Sequence, residues 1–245
     1  MKKIGIIGGS GLDDPQILKY PISKEVVTKY GQPSSTLTCG EIAAVPVVIL
    51  ARHGKGHKIT PTKVNYLANI QALKDEGCTH ILAATAVGSL REEIKPGNLV
   101  FPSQFIDFTK HRNLTFFTDE VLHTPMSDPY DKNLTELLCA TCDEFGYEYN
   151  RDVTVISIEG PRFSTRAESN MFRTWGADII NMSTCPEVIL ACELGIPYQT
   201  IAMSTDYDCW KIDEAPVTFE MILERMKENA DKVKNLLIKT IPKIV

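Results

Sequence analysis

Residues 198–210 have the sequence YQTIAMSTDYDCW, in which a short apolar run passes directly into a polar segment. The run 198–203 is short and mostly apolar, which predicts a buried strand. Because side chains alternate along a strand, Asp206 and Asp208 are predicted to lie on one face at its carboxyl end. Two carboxylates there can bind a ligand edge that presents N–H donors, such as the N6 amino group and a protonated N7 of adenine. The alternative is a solvated pair in a loop, since aspartate is mostly exposed.

Length and composition indicate a globular protein. The chain has 245 residues, of which 43% are hydrophobic and 23% are charged, and its formal net charge is −5. This acidic balance argues against nucleic-acid binding, because a phosphate backbone selects a basic surface. No apolar run approaches the roughly 20 residues that a membrane span needs, and the first residues contain no signal peptide. We therefore expect a cytoplasmic protein with no nucleic-acid or membrane partner.

The seven cysteines are scattered and odd in number, which favours reduced thiols over a disulfide framework. Cys139 and Cys142 have the spacing of a redox pair or half a zinc site. They fall within a predicted helix and have no second Cys or His pair. We expect no metal site.

Alternating periodicity predicts an α/β fold. Apolar runs predict strands at residues 4–7, 45–50, 80–86, 99–101, 153–158, 178–181 and 198–203. Helical patterns run from Thr60 and Pro61 to Gly77 and over residues 132–145, 165–175, 186–194 and 218–239. Strands that alternate with helices indicate a central sheet covered by helices on both faces. No repeat or linker divides the chain, so residues 1–245 are predicted to form a single domain, with a long functional or interfacial loop at residues 108–130.

Polar or glycine-rich segments follow several predicted strands. The glycine run 8–11 matches neither the dinucleotide fingerprint nor a phosphate-binding Walker loop, because the required later residues are missing. Its backbone N–H groups can still approach an anion. Similar segments with guanidinium, imidazole, hydroxyl or amide groups lie at residues 52–54, 85–89 and 181–184. Because ligands bind at the carboxyl ends of strands in such sheets, we expect these segments to meet in one crevice.

Six stretches in this order resemble the methylthioadenosine phosphorylases of the trimeric purine nucleoside phosphorylase family. They are IGIIGGSGL (4–12), ARHG (51–54), VNY (64–66), SIEGPRF (157–163), RTWGAD (173–178) and TDYDCW (205–210). The resemblance covers nearly the whole chain and implies a single-domain α/β fold with a central mixed sheet flanked by helices. It also implies phosphorolysis of S-methyl-5'-thioadenosine to adenine and 5-methylthioribose 1-phosphate, with inorganic phosphate as co-substrate and no other cofactor.

The resemblance also assigns roles to individual residues. Asp206 and Asp208 would bind the adenine and act in catalysis, and Met182 would pack against the ribose. His123, in the long loop, would reach the neighbouring subunit's site in a homotrimer or a dimer of trimers. The remaining assignments are phosphate binding by Ser10, Arg52, His53, Thr85, Ala86 and Ser183, and specificity contacts by Phe163, Ser164, Phe219 and Ile222.

The chemistry of these residues agrees with the implied reaction. Cleavage of an N-glycosidic bond builds positive charge on the sugar and negative charge on the purine, so an anion near C1' and a proton at N7 both assist it. Two close carboxylates tend to share a proton, and their titration belongs to the pair. Which aspartate carries the proton is left open.

Other functions stay open at this point. The aspartates favour a 6-aminopurine, because the family members that select 6-oxopurines carry an amide there. The chain ends where eukaryotic relatives continue into a tail that helps close the 5' pocket, so we expect a more open pocket that also accepts a 5'-hydroxyl. The alternatives are a broader purine nucleoside phosphorylase acting on adenosine or methylthioinosine, a hydrolytic nucleosidase, a non-catalytic purine-binding protein and a Rossmann oxidoreductase.

Overall fold

The computed structural model of the chain describes residues 2–8, 17–213 and 218–244, apart from the side chains of Phe219 and Glu228. Nine strands in these residues form one sheet, in the order β2-β3-β4-β1-β5-β8-β7-β6-β9. The strands are β1 (Ile4–Gly8), β2 (Lys19–Lys24), β3 (Leu37–Ile42), β4 (Val45–Ala51), β5 (His80–Ser89), β6 (Leu99–Phe108), β7 (Tyr149–Ile158), β8 (Ile179–Asn181) and β9 (Tyr198–Asp206).

The sheet is mixed, and part of it closes on itself. Strand β1 runs parallel to β4 and β5, whereas β3 runs antiparallel to β2 and β4. Strand β5 pairs with both β8 and β9, so that β5, β8, β7, β6 and β9 form a closed ring. The mixed sheet that the resemblance implied is confirmed.

Helices cover both faces of the sheet. One face packs against α1 (Tyr66–Asp75) and α4 (Thr184–Glu193), and the other packs against α2 (Lys132–Phe145) and α5 (Phe219–Thr240). Helix α3 (Arg166–Thr174) belongs to a third, smaller apolar cluster. Alternation along β1 divides its side chains between the two main cores, with Ile4 and Ile6 on one face and Ile7 on the other. The predicted α/β class is therefore confirmed.

Several strand boundaries differ from the prediction. Strands β2 and β3 were not predicted, because β2 is an exposed edge strand and β3 is interrupted by polar residues and a glycine. Strand β6 continues to Phe108, although the apolar pattern ends at Phe101 before a proline. The pairing with β7 shifts register on both sides of Pro102, and such bulges accommodate a residue that cannot donate a hydrogen bond.

The first helix begins later than predicted. Residues Pro61–Lys63 form a short 3-10 turn, and α1 starts at Tyr66. Asn65 caps it, because the Asn65 side chain accepts a hydrogen bond from the backbone N–H of Ala68 at 3.1 Å. This start leaves residues 58–60 outside any helix or strand, beside the ends of the strands.

The predicted long loop is present in the structure. Residues 109–131 connect β6 to α2 without a helix or strand. Two of its aromatic residues, Phe116 and Phe117, pack against the core of their own chain, with the Phe116 ring 5.1 Å from that of Tyr30. The exposed apolar residues of this loop are Leu114, Val121 and Leu122.

The packing of α5 on the sheet generates a prediction of stability. Leu237 is 1% exposed in the core, whereas its neighbour Ile238 is 43% exposed. Leu237→Ala should lower the free energy of unfolding by about 2–5 kcal/mol, through lost burial and the cavity left behind. Ile238→Ala should change it by less than about 0.5 kcal/mol. Urea denaturation of both variants measures the difference, and equal losses would contradict the packing of α5.

Candidate active site

A cavity of about 400 Å³ lies where β4, β5, β8 and β9 end. The residues after β4 and β8, the second half of β5 and the end of β9 form much of its wall. The structure therefore brings together the polar segments predicted at residues 52–54, 85–89 and 181–184 with the two aspartates. Among the predicted site residues, the cavity is lined by Arg52, His53, Thr85, Ala86, Phe163, Ser164, Met182, Ser183, Asp206, Asp208 and Ile222.

Arg52 is buried at one end of the cavity and is paired with a carboxylate. Its Nε and Nη2 donate to the two carboxylate oxygens of Glu187, and its Nη1 donates to the carbonyl of Ala84 at 2.9 Å. Glu187, in the first turn of α4, also accepts a hydrogen bond from the Tyr198 hydroxyl at 3.0 Å. Burial lowers the pKa of Arg52, but the Glu187 carboxylate outweighs this and raises it above its usual value. The paired face of the guanidinium is thus occupied, which leaves one N–H on each Nη for a ligand.

His53 presents a neutral imidazole to the cavity. Its Nδ1 lies 2.8 Å from the carbonyl oxygen of Ile59, which can only accept, so Nδ1 carries a proton. Burial first, and then the Arg52 charge, lower the pKa of His53 to about 3. The ring stacks on His57 with centroids 4.3 Å apart. Its Nε2 is therefore an acceptor in the unliganded site, and it becomes a donor only when an anion favours the protonated ring.

Two hydroxyl groups meet beside Arg52. The Oγ1 of Thr85 in β5 and the Oγ of Ser183 lie 2.8 Å apart and are buried. Ser183 precedes α4, and its side chain makes no cap hydrogen bond to the helix, which leaves its hydroxyl available to a ligand. An anion can also interact favourably with the N-terminus of this helix. Ser10, the remaining predicted phosphate ligand, lies outside the described residues.

The two aspartates face the opposite end of the cavity, but not by the predicted alternation. Strand β9 ends at Asp206, and Asp208 has a left-handed backbone with φ of 50°. The backbone N–H of Asp208 donates to Asp206 Oδ1 at 2.8 Å, and the hydroxyl of Thr205 donates to Oδ2 at 2.7 Å. The carboxylates therefore converge through a tight turn after the strand.

Burial affects the titration of the Asp206 carboxyl group. It raises the pKa of Asp206 from 3.8 to about 6, with the charge of Asp208 acting in the same direction. Asp208 accepts a hydrogen bond from the Ser164 hydroxyl, which lies 2.8 Å from both carboxylate oxygens. A Cβ at Gly88 would lie 3.0 Å from Asp206 Oδ1, so the pair packs directly against the β5 backbone. Asp206 is therefore present in both its neutral and its ionised form near pH 6.

Apolar side chains line the space between the two ends. Met182 packs over Gly160, whose φ of 68° is a backbone conformation that favours glycine. Phe163 is 38% exposed at the rim. Phe219 begins α5, and its side chain lies outside the described residues. His123 is exposed on the long loop and does not line the cavity of its own chain.

Sequence reasoning missed several residues of this region. The segment 57–61, together with Leu223 and Met226 of α5, lines the cavity. The apolar periodicity of α5 could have indicated Leu223 and Met226 as core residues, but not that they face a ligand site. Nothing in the sequence pairs Glu187 with Arg52, because the two residues are far apart along the chain.

The described residues show no other feature typical of a cofactor site. They contain no cluster of three or more His, Cys, Asp or Glu side chains arranged to hold a metal ion. Cys139 and Cys142 are free and buried in α2. A search of the same residues finds no helix long and apolar enough to cross a membrane.

Comparison with known proteins identifies the family. The model of the family described as the phosphorylase superfamily matches residues 3–242. The chain belongs to the phosphorylase superfamily. S-methyl-5'-thioadenosine phosphorylase of Danio rerio is 53% identical over 248 residues, which cover 99% of this chain and 89% of that protein.

Solved structures of the superfamily agree with this assignment. Methylthioadenosine phosphorylase from Schistosoma mansoni in complex with adenine has a TM-score of 0.96 and 41% identity, covering 100% of this chain and 92% of that one. A mutant of the adenosine/methylthioadenosine phosphorylase from the same organism, in complex with methylthioadenosine, has a TM-score of 0.94 at 40% identity, with the same coverage. The resemblance that the sequence motifs indicated is confirmed.

In this phosphorylase superfamily member, the buried pair of Arg52 and Glu187 generates a prediction. Arg52→Ala should destabilise the fold by about 3–5 kcal/mol, because Glu187 would keep a buried charge without a partner. The double variant Arg52→Met with Glu187→Leu should recover most of that loss in urea denaturation. Arg151→Ala, which breaks a pair with the exposed Glu136, should leave the midpoint nearly unchanged. A double variant as unstable as the single one would contradict the pairing.

The raised pKa of Asp206 generates a prediction of pH dependence. The folded protein holds this proton with a pKa of about 6, against 3.8 for the ordinary group, so folding is favoured as pH falls from about 6 to about 4. The free energy of unfolding of the wild type, minus that of Asp206→Asn, should therefore increase as pH is lowered from about 6 to about 4. The increase should be at most about 1.4 kcal/mol per pH unit. Urea titrations at several pH values measure it. A difference that is independent of pH would contradict the raised pKa.

Proposed function

We propose that this protein catalyses the phosphorolysis of S-methyl-5'-thioadenosine to adenine and 5-methylthioribose 1-phosphate. The observation that carries the proposal is that one cavity has a buried guanidinium and two hydroxyls at one end and a carboxyl pair at the other. The first set suits a phosphate, and the second suits the amino edge of a purine. The names of the related proteins support the same substrate.

The proposed chemistry uses both ends of the cavity at once. Phosphate held by Arg52, Thr85 and Ser183 attacks C1' of the sugar as the bond to N9 of the purine breaks. Negative charge then develops on the purine, and a proton at N7 stabilises it. Asp206 can supply this proton, because its pKa of about 6 keeps it partly protonated near neutral pH. Asp208, held by Ser164, would accept a hydrogen bond from the N6 amino group.

The apolar wall in the middle of the cavity favours a substrate with a 5'-methylthio substituent. Ile222, Leu223 and Met226 of α5 add apolar surface to the wall. Burial of one or two methyl-sized groups there would favour the methylthio group over a hydroxyl by roughly 1–2 kcal/mol. Adenosine is therefore a second candidate substrate, used less well.

We also propose a homotrimer, or a dimer of trimers, in which the long loop faces a neighbouring subunit. Val121 and Leu122, next to His123, are 86% and 51% exposed in the single chain. Adjacent apolar exposure of this kind is typical of an interface. His123 would then reach the neighbour's 5' pocket. The whole chain would act as one nucleoside phosphorylase domain with no cofactor beyond phosphate, in the cytoplasm, where its seven free cysteines stay reduced.

The experiment that tests the function compares initial rates on methylthioadenosine, adenosine, methylthioinosine and inosine, with and without phosphate. We expect turnover only with phosphate, the highest kcat/KM on methylthioadenosine and formation of a sugar 1-phosphate. Cleavage at the same rate without phosphate would indicate a hydrolytic nucleosidase. Preference for inosine would overturn the assignment of the aspartates to a 6-aminopurine.

Base recognition generates a further prediction. Asp208→Asn replaces a carboxylate that only accepts hydrogen bonds with an amide that also donates them, which suits O6 better than an N6 amino group. The ratio of kcat/KM on methylthioadenosine to that on methylthioinosine should fall by about 10- to 100-fold, since unpaired polar groups discriminate strongly in a buried site. The control is Asp213→Asn, which makes the same change at an exposed aspartate and should leave the ratio unchanged. An unchanged ratio in Asp208→Asn would show that Asp208 does not contact the base.

A further inference from the structure

Arg112 is a buried arginine of the long loop that lies behind the cavity wall. Its side chain is 1% exposed, and it does not itself line the cavity. Each of its three guanidinium nitrogens has at least one acceptor within 3.4 Å, and most of these acceptors are backbone carbonyls. An arginine that is buried and bonded in this way fixes the positions of the segments that it joins.

The acceptors of Arg112 belong to three separate segments of the wall. The Nη1 donates to the carbonyls of Met182 and Cys185 at 2.8 and 2.6 Å, and these two residues flank Ser183 and Thr184. The Nη2 donates to the carbonyls of Ile158 and Glu159 at the end of β7, at 3.3 and 2.8 Å.

The third segment is reached through a tyrosine. The Nη1 also lies 3.0 Å from the hydroxyl of Tyr66, which in turn donates to the carbonyl of Pro61 at 3.1 Å. Pro61, Ile158, Met182 and Ser183 all line the cavity.

The base of the loop is itself held in place. The Glu159 carboxylate accepts hydrogen bonds from the backbone N–H groups of Lys110 and His111, at 2.6 and 3.1 Å, and from the Thr62 hydroxyl at 2.6 Å. Burial opposes ionisation of Glu159, but these hydrogen bonds outweigh it and lower the pKa to about 2. Glu159 therefore stays ionised at neutral pH and keeps Arg112 at the junction of the three segments.

We propose that Arg112 is a positioning residue for phosphate and the sugar, acting through the carbonyls on both sides of Ser183. This inference rests on the proposed phosphorolysis. It predicts that loss of the guanidinium moves the Ser183 hydroxyl and Met182 but leaves the aspartate pair in place, because Arg112 contacts neither Asp206 nor Asp208. Phosphate use and turnover then change, while adenine binding does not.

The test measures kinetics and adenine binding in Arg112→Lys, which keeps the charge but cannot reach all three segments from one nitrogen. We expect the KM for phosphate to rise at least tenfold and kcat to fall, while the dissociation constant of adenine, measured by calorimetry, changes by less than twofold. Arg112→Ala should regain part of its activity when guanidinium ion is added at millimolar concentration. Tyr66→Phe, a milder change that removes the contact to Pro61, should raise the same KM by two- to fivefold.

Arg91→Lys is the matched control. The guanidinium of Arg91 likewise donates hydrogen bonds within the chain, to the Asp178 carboxylate and to the carbonyl of Arg173. Arg91 does not line the cavity. In Arg91→Lys the KM for phosphate, kcat and the dissociation constant of adenine should all stay within twofold of wild type. An unchanged phosphate KM in Arg112→Lys, or an equal loss of adenine and phosphate affinity, would overturn the positioning role while the proposed function stands. Phosphate-independent turnover by the wild type would overturn both.

Discussion

The pairing of β5 with β9 determines where the two ends of the cavity lie. In its parallel register Thr85 is opposite Ala202 and Gly88 is opposite Asp206, with a shift between Val87 and Gly88. Thr85 marks the end that carries the hydroxyls and the guanidinium, and Gly88 packs against the aspartates. Three residues of strand span about 10 Å, which matches the distance from an anion beneath C1' to the far edge of a purine. In the proposed complex the strand would thus set the spacing between anion and base, and the other strand ends would supply groups at each position.

Three ionisable groups of the site avoid an unpaired buried charge before ligands bind. Arg52 is paired with Glu187, His53 is neutral, and Asp206 holds a proton below about pH 6. An isolated buried charge would be costly, and each of these groups avoids that cost by pairing or by protonation. In the proposed reaction, phosphate would therefore bind to directed N–H and O–H groups more than to a strong positive field, and Asp206 would supply the proton from the opposite end of the cavity.

The sequence predicted most of this arrangement, for physical reasons that also explain what it missed. Apolar runs predicted the buried strands, and the small, polar residues after them predicted a ligand crevice. Thr85, Ser183 and the two aspartates do line the cavity. The exposed strand β2 has no apolar pattern, and the bulge at Pro102 hides the second half of β6. Glu187 and Arg112 were missed because long-range pairing gives a polar residue no local signature. Asp208 was placed correctly for the wrong reason, since a left-handed residue, not alternation, turns it toward Asp206.

A crystal structure of the protein with adenine and phosphate bound together tests the central claim most directly. The account predicts a phosphate within about 3 Å of the hydroxyls of Thr85 and Ser183 and of a free N–H of Arg52, and adenine with N7 and N6 at similar distances from Asp206 and Asp208. An adenine whose amino edge points away from the aspartates, or a phosphate bound elsewhere than beside Ser183, would contradict it.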